Sequence, residues 1–174
     1  EVFAYGGRGY GTLQELLALE RHLERVRPDL IVLQVCSNDL INNSWELERR
    51  SYHQNIAMTR PYQENGRIVY RYPRRLAAPR ALLIDHSRVF HLLSIRFETL
   101  LLLLAKKGWL SSVEEEIAAG RRAAEFSAAV KTTTELIGEI KQRAGGTPLA
   151  AFIADGPEPY FSALRRIFAE QGLP

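Results

Sequence analysis

Two short stretches hold the residues best suited to chemistry. The first, Gly6-Gly7-Arg8-Gly9-Tyr10-Gly11, alternates glycines with larger side chains. Glycine permits positive φ and close backbone approach, so such a loop can offer bare N–H groups to a ligand. The second, Cys36-Ser37-Asn38-Asp39, places a side-chain amide and a carboxylate at the end of an apolar run. An amide donates a hydrogen bond without changing its charge, which suits it to stabilising a developing oxyanion. Taken singly, each loop has a plainer reading: a tight turn for the glycines and an Asx turn for Asn38-Asp39. A dinucleotide fingerprint fits the glycine loop poorly. The last glycine of G-x-G-x-x-G is out of place, and Ser37-Asn38 stands where an acidic residue is expected after the second strand.

The flanking elements say how these loops are held. Residues 2–5 (Val-Phe-Ala-Tyr) read as a short strand. Thr12-Leu13-Gln14-Glu15 reads as a capping box, with Thr12 as N-cap and Glu15 at N3. The helix it opens runs to about Val26, with Leu13, Leu16, Leu17, Leu19, Leu23 and Val26 on a wide apolar face. Pro28-Asp29 closes it. Residues 30–36 are almost continuously apolar, as in a parallel strand buried on both faces, and residues 37–43 read as a polar loop. Strand, loop, helix, strand and loop make one βαβ unit, whose ligands should bind outside the carboxyl ends of the strands, where both loops lie.

Farther along, Arg60-Pro61-Tyr62 and residues 66–73 suggest a small hairpin or edge strand, with Asn65-Gly66 as its turn, in a stretch (44–86) otherwise read as irregular. Ser87 caps a helix to about Lys107, ended by Gly108. Ser112-Val113-Glu114-Glu115 is a second capping box, expected to lead one long helix towards Arg143, stopped by Gly145-Gly146. Residues 148–154 form a third parallel strand, and 158–171 a last helix. The expected organisation is a single α/β domain over residues 1–174, with 44–125 as an insertion or lid. The chain starts within a strand and ends on a helix that a strand should follow, so both ends read as cut.

Composition narrows the function classes. The 174 residues are 46% hydrophobic and 25% charged, as in ordinary globular proteins, which excludes disorder over most of the length. The net charge of +3 carries no single-sign stripe that would suggest nucleic acid. Arg71, Arg74, Arg75 and Arg80 form the one basic cluster, suited to an anionic ligand or surface. Cys36 is the single cysteine, so no intrachain disulfide can form. His22, His53, His86 and His91 have no partners at metal-ligand spacing beyond a weak His86/His91 pair, so no metal and no cofactor are expected. The apolar run 100–105 is too short to span a bilayer.

Taken together, the two loops resemble a family. Gly6 to Glu15, Arg27-Pro28-Asp29, the strand at 30–36 and Asn38-Asp39 are similar to the second and third conserved blocks of the SGNH (GDSL-type) hydrolases. Those blocks hold a G-Y-G-T-type turn, a helix, Pro-Asp, an apolar strand and Gly-x-Asn-Asp. The resemblance is strong in residues 1–43 and loose afterwards. There Arg60-Pro61-Tyr62, Asn65-Gly66-Arg67-Ile68 and His86-Ser87-Arg88 look like a bacterial branch with a lid insertion. It implies a flavodoxin-like three-layer sandwich with a mainly parallel sheet, truncated at both ends. It implies an ester (acyl) hydrolase in which the Gly9 backbone N–H and the Asn38 side-chain amide form the oxyanion hole. The substrate would be a small-molecule, carbohydrate or lipid ester, and an extracytoplasmic location is slightly favoured. Two positions depart from the pattern: Cys36 replaces the glycine of Gly-x-Asn-Asp, and Ala4 replaces an asparagine that often opens the earlier block.

The family's Gly-Asp-Ser and Asp-x-x-His blocks do not occur in these residues. No substitute nucleophile or base is apparent. Asp85-His86-Ser87 are adjacent, so they cannot fold onto one another as a triad and instead begin a helix. Ser37 has no histidine near it in sequence, Cys36 reads as a structural thiol, His22 reads as solvated, and His53 and His91 have no assigned role. The chain alone is therefore expected to be inactive. The rival reading is a non-catalytic carbohydrate- or acyl-binding module on the same fold. In the family's strand order the serine-block strand separates residues 2–5 from 30–36. Its absence should leave a gap to be closed by direct pairing, by a homodimer, or by chain outside these residues.

Overall fold

The structure is a computed structural model that describes residues 1–7, 9–52, 59–73 and 77–173. Its elements in order are α1 (Thr12–Val26), β1 (Ile31–Val35), α2 (Ser37–Asn42), α3 (Trp45–Glu48), β2 (Arg60–Glu64), β3 (Arg67–Arg71), α4 (Ala77–His86), α5 (Arg88–Lys106), α6 (Val113–Ala118), α7 (Ala123–Ala144), β4 (Leu149–Ile153) and α8 (Tyr160–Gln171). This is a mixed α/β chain with a small parallel sheet. It divides into two compact units, Glu1–Ser44 with Ala124–Pro174, and Trp45–Ala123.

In the first unit β1 pairs in parallel with β4, in a register that sets Ile31 against Leu149 and Val35 against Ile153. The core is built from spaced apolar residues. Helix α7 buries Ala129, Val130, Thr133, Leu136, Ile137, Ile140 and Ala144, a run of three- and four-residue steps that lays one stripe inward. Leu164 and Ile167 of α8, Leu13 and Leu16 of α1, and Leu33 and Val35 of β1 complete it. Helix α8 packs on both β4 and α2. Arg27, in the left-handed region at φ 48°, closes α1 by donating its N–H to Leu23 O.

Several expectations need correction here. Residues 2–5 form no strand; Val2 is 94% exposed, and Tyr5 instead stacks on the His22 ring at 4.1 Å. A strand needs a ladder, and the edge of β1 away from β4 is paired with nothing among the described residues. The gap is therefore not closed by direct pairing of 2–5 with 30–36. Strand β1 is buried on one face only: Leu33 and Val35 are inside, whereas Val32 is 58% exposed. A sheet two strands wide gives a second helical layer little to lie on. The N-cap of α1 is Gly11, not Thr12, and the N3 side chain that reaches back is Gln14, whose Oε1 accepts from Gly11 N–H at 3.1 Å. Residues 37–42 are a short helix, not a loop, because Asp39 Oδ2 accepts from Cys36 N–H at 2.8 Å and closes a first turn.

In the second unit the expected hairpin is present. Strands β2 and β3 pair antiparallel around Asn65 and Gly66, at φ 50° and 72°, the two positive φ values of a type I′ turn. Glu48 (α3), Arg60 and Tyr62 (β2) are buried together: Arg60 Nε lies 2.6 Å from Glu48 Oε1, and the Tyr62 hydroxyl donates to Glu48 Oε2 at 2.7 Å. Ser87 caps α5 by accepting from Phe90 N–H at 3.2 Å, and the Ser112 N–H donates to Glu115 Oε2 at 2.9 Å, as the capping residues predict. The long helix expected from residue 112 is broken. Gly120 takes φ 73°, and Arg121 N–H returns to Glu116 O, a glycine-made stop that ends α6 before α7 begins. Helix α4 lies in the stretch read as irregular. Of the basic cluster, Arg71 pairs with Glu64 at 2.6 Å and Arg80 with Glu98 at 2.5 Å, while Arg74 and Arg75 lie outside the described residues.

Candidate functional site

In the first unit the glycine loop lies against the C-terminal end of α2, at Asn42 and Asn43. Gly9 sits at φ 79°, a conformation that a side chain would strain. Its carbonyl lies 3.5 Å from the Asn42 Nδ2. Gly11 is pressed on the same helix: a Cβ there would meet Asn42 Cβ at 2.9 Å and Asn43 Oδ1 at 3.0 Å. Asn43 fixes the geometry from below, accepting from Leu13 N–H at 3.3 Å and donating to Thr133 Oγ1 at 2.9 Å. Glycine loop, α1, α2 and α7 are thus joined by one buried asparagine.

Asn38 is half-buried in the first turn of α2. It stands one turn before Asn42, and residues four apart share a helix face. Asn38 itself follows closely on β1, at the carboxyl edge of the sheet, and the Gly9 carbonyl meets the side chain of Asn42 at the far end of α2. The same edge holds a group not foreseen in the sequence. Asp155, just past β4, accepts from the Ser37 backbone N–H at 3.1 Å and from the Ser37 hydroxyl at 3.3 Å. Ala154 N–H donates to Val35 O at 2.9 Å and brings this segment beside β1. The available signal was an aspartate directly after an apolar strand and before Gly156-Pro157, at the sheet edge where ligands bind.

Two carboxyls lie close together beside these residues. Asp39 is buried, and Glu15 of α1, foreseen only as a capping residue, has its carboxyl turned inward. Burial, and after it the Asp39 carboxylate, push the Glu15 carboxyl up to about 8. Glu15 is thus held largely neutral at pH 7 beside a region built of amides and N–H groups. Cys36 is half-buried at the start of α2. Burial first, and Asp39 next, raise its thiol above the usual range, against the thiolate a nucleophile needs.

Of the described histidines, His22 belongs to the first unit and His86 and His91 to the second. His22 is exposed on α1 against Tyr5, and its imidazole is lowered by desolvation and by Arg25 and Arg21. His86 ends α4 with Nδ1 at 2.8 Å from Leu82 O, and Ser87 caps the next helix, so Asp85-His86-Ser87 forms a helix junction. His91 is exposed on α5, and His53 lies outside the described residues. Among the described residues no group of three or more His, Cys, Asp or Glu side chains could hold a metal ion. No described helix is long and apolar enough to cross a membrane.

Compared with protein-family models, with curated proteins and with solved structures, the chain finds no match.

Proposed function

We propose that these residues form the oxyanion-hole part of an ester (acyl) hydrolase of the SGNH type, on a flavodoxin-like sheet. In this reading the Gly9 N–H and the Asn38 side-chain amide donate to the oxyanion of a tetrahedral intermediate. Asn42 and Asn43 hold the glycine loop against α2, and Asp155 braces the first turn of α2 through Ser37. The substrate is an ester of a small molecule, carbohydrate or lipid. The observation that carries the reading is the packing of the Gly9–Gly11 loop on α2 beyond the carboxyl end of a parallel strand. Preorganised donors of this kind lower the barrier because they are already aimed where charge develops. The reaction also needs a serine and a histidine, which the 174 residues do not supply in the family's blocks.

The test uses p-nitrophenyl acetate. The 174-residue chain is expected to show no turnover above buffer. The reading frame that encodes it is then expressed with whatever flanks it. Turnover is expected once Gly-Asp-Ser and Asp-x-x-His blocks are present, with Asn38→Ala lowering kcat by roughly 10²–10³-fold. Turnover by the 174-residue chain that disappears in Ser37→Ala would overturn the assignment and make Ser37, with Asp155, the reacting pair. Binding of acylated sugars without turnover in the whole polypeptide would favour the non-catalytic module.

A further inference from the structure

Helix α5 turns two polar side chains towards α4: Arg80 of α4 donates from Nε to Ser94 Oγ at 2.6 Å and pairs through Nη2 with Glu98 Oε1 at 2.5 Å. Six of its large apolar residues are turned out to solvent. Val89, Leu92, Leu93, Phe97, Leu100 and Leu103 are each at least half exposed, and on a helical projection they share one broad sector. So large an exposed apolar face on one helix marks an interaction surface.

Charge decides what kind of surface it meets. Glu98 is the one acidic residue of α5, and it is already spent on Arg80. The remaining formal charges along the helix and its end are Arg88, Arg96, Lys106 and Lys107. Trp109 follows at once, 76% exposed. Apolar sector, basic flanks and a tryptophan beside lysines are the pattern of a helix lying in the headgroup region of an anionic bilayer. Arg96, inside the apolar sector, can extend its guanidinium to the phosphates while its methylenes stay among the leucines. A second copy would fit worse, because two such helices would bring eight like charges together.

We propose that α5 docks in the plane of an anionic lipid surface, with its 19 residues laid along about 28 Å of headgroups. The proposal concerns the second unit and does not rest on the hydrolase reading. The test is flotation of the 174-residue chain with vesicles of equimolar phosphatidylcholine and phosphatidylglycerol, and with phosphatidylcholine alone. Binding is expected to the anionic vesicles and to weaken in high salt. Lys106→Gln with Lys107→Gln should weaken it about 30-fold, since each basic residue near the surface contributes roughly a fivefold gain in partitioning. Leu93→Glu with Leu100→Glu should abolish it. Both pairs lie on the exposed face, so circular dichroism and thermal melts should match the parent chain. No binding to anionic vesicles, or binding that survives both variants, would overturn the proposal. So would a lipid-free dimer that Leu93→Glu with Leu100→Glu dissociates, which would make a second copy the occupant.

Discussion

Glu15 links a single residue to a property of the whole fold. Its carboxyl is raised to about 8 by burial and by Asp39, whereas an unfolded chain titrates it near 4.5. Between those values the folded protein holds a proton that the unfolded chain releases. This contribution is therefore fully present below pH 4.5 and is lost as pH rises towards 8. Glu15→Gln should flatten that slope and raise stability at pH 8.5 by roughly 1–4 kcal/mol, measured by urea unfolding across pH. A variant as pH-sensitive as the parent over this window would show that Glu15 is ionised in the fold. Gly11 offers a second test at this scale. A methyl group there would press on Asn42 and Asn43 at about 3 Å. Gly11→Ala should cost roughly 1–3 kcal/mol by overpacking, read as a lowered Tm.

At the scale of elements, the hairpin shows how a strong local signal and a buried charge coexist. Asn65-Gly66 sets the turn without help from the rest of the chain. The strand it serves then buries Arg60 and Tyr62 against Glu48. Burial raises the Glu48 carboxyl to about 7, while Arg60 and Tyr62 pull it down. Removing the cation raises the Glu48 carboxyl further, so it keeps its proton at neutral pH and becomes an uncompensated buried carboxylate only in alkali. Arg60→Met should therefore cost about 3–5 kcal/mol at alkaline pH and less at neutral and acid pH, where Glu48 is protonated. Adding Glu48→Gln should recover much of the loss; a single variant as stable as the parent would mean the pair is not closed in solution.

For the whole molecule, the open edge of β1 is the feature to measure. Ile31 N–H donates to Pro148 O, and Val35 O accepts from Ala154, so by the parallel pattern Val32 and Gln34 turn their N–H groups away from β4. In dilute solution these two amides should exchange within the fast class, while those of Leu136, Ile137, Leu164 and Ile167 exchange slowest. Protection of Val32 and Gln34 that grows with protein concentration would show that a second copy pairs on this edge. The strand carries no charge or proline to discourage such pairing.

What was legible in the sequence is local. Periodic leucines, Pro28, Ser87, Gly108 and Gly145 fixed helices to within a residue or two, because caps and stops act over a single turn. Asn65-Gly66 specified its hairpin for the same reason. Gly9 and Asn38 could be paired on paper only through a resemblance, since nothing local ties positions so far apart. Tertiary structure decided that the Gly9 carbonyl meets Asn42 of α2, that Asn43 ties α2 to α1 and α7, and that Asp155, just past β4, bonds Ser37. It also decided that residues 2–5 are no strand and that Val32 faces outward. A strand's pattern states what it needs buried, but its ladder and cover come from distant chain.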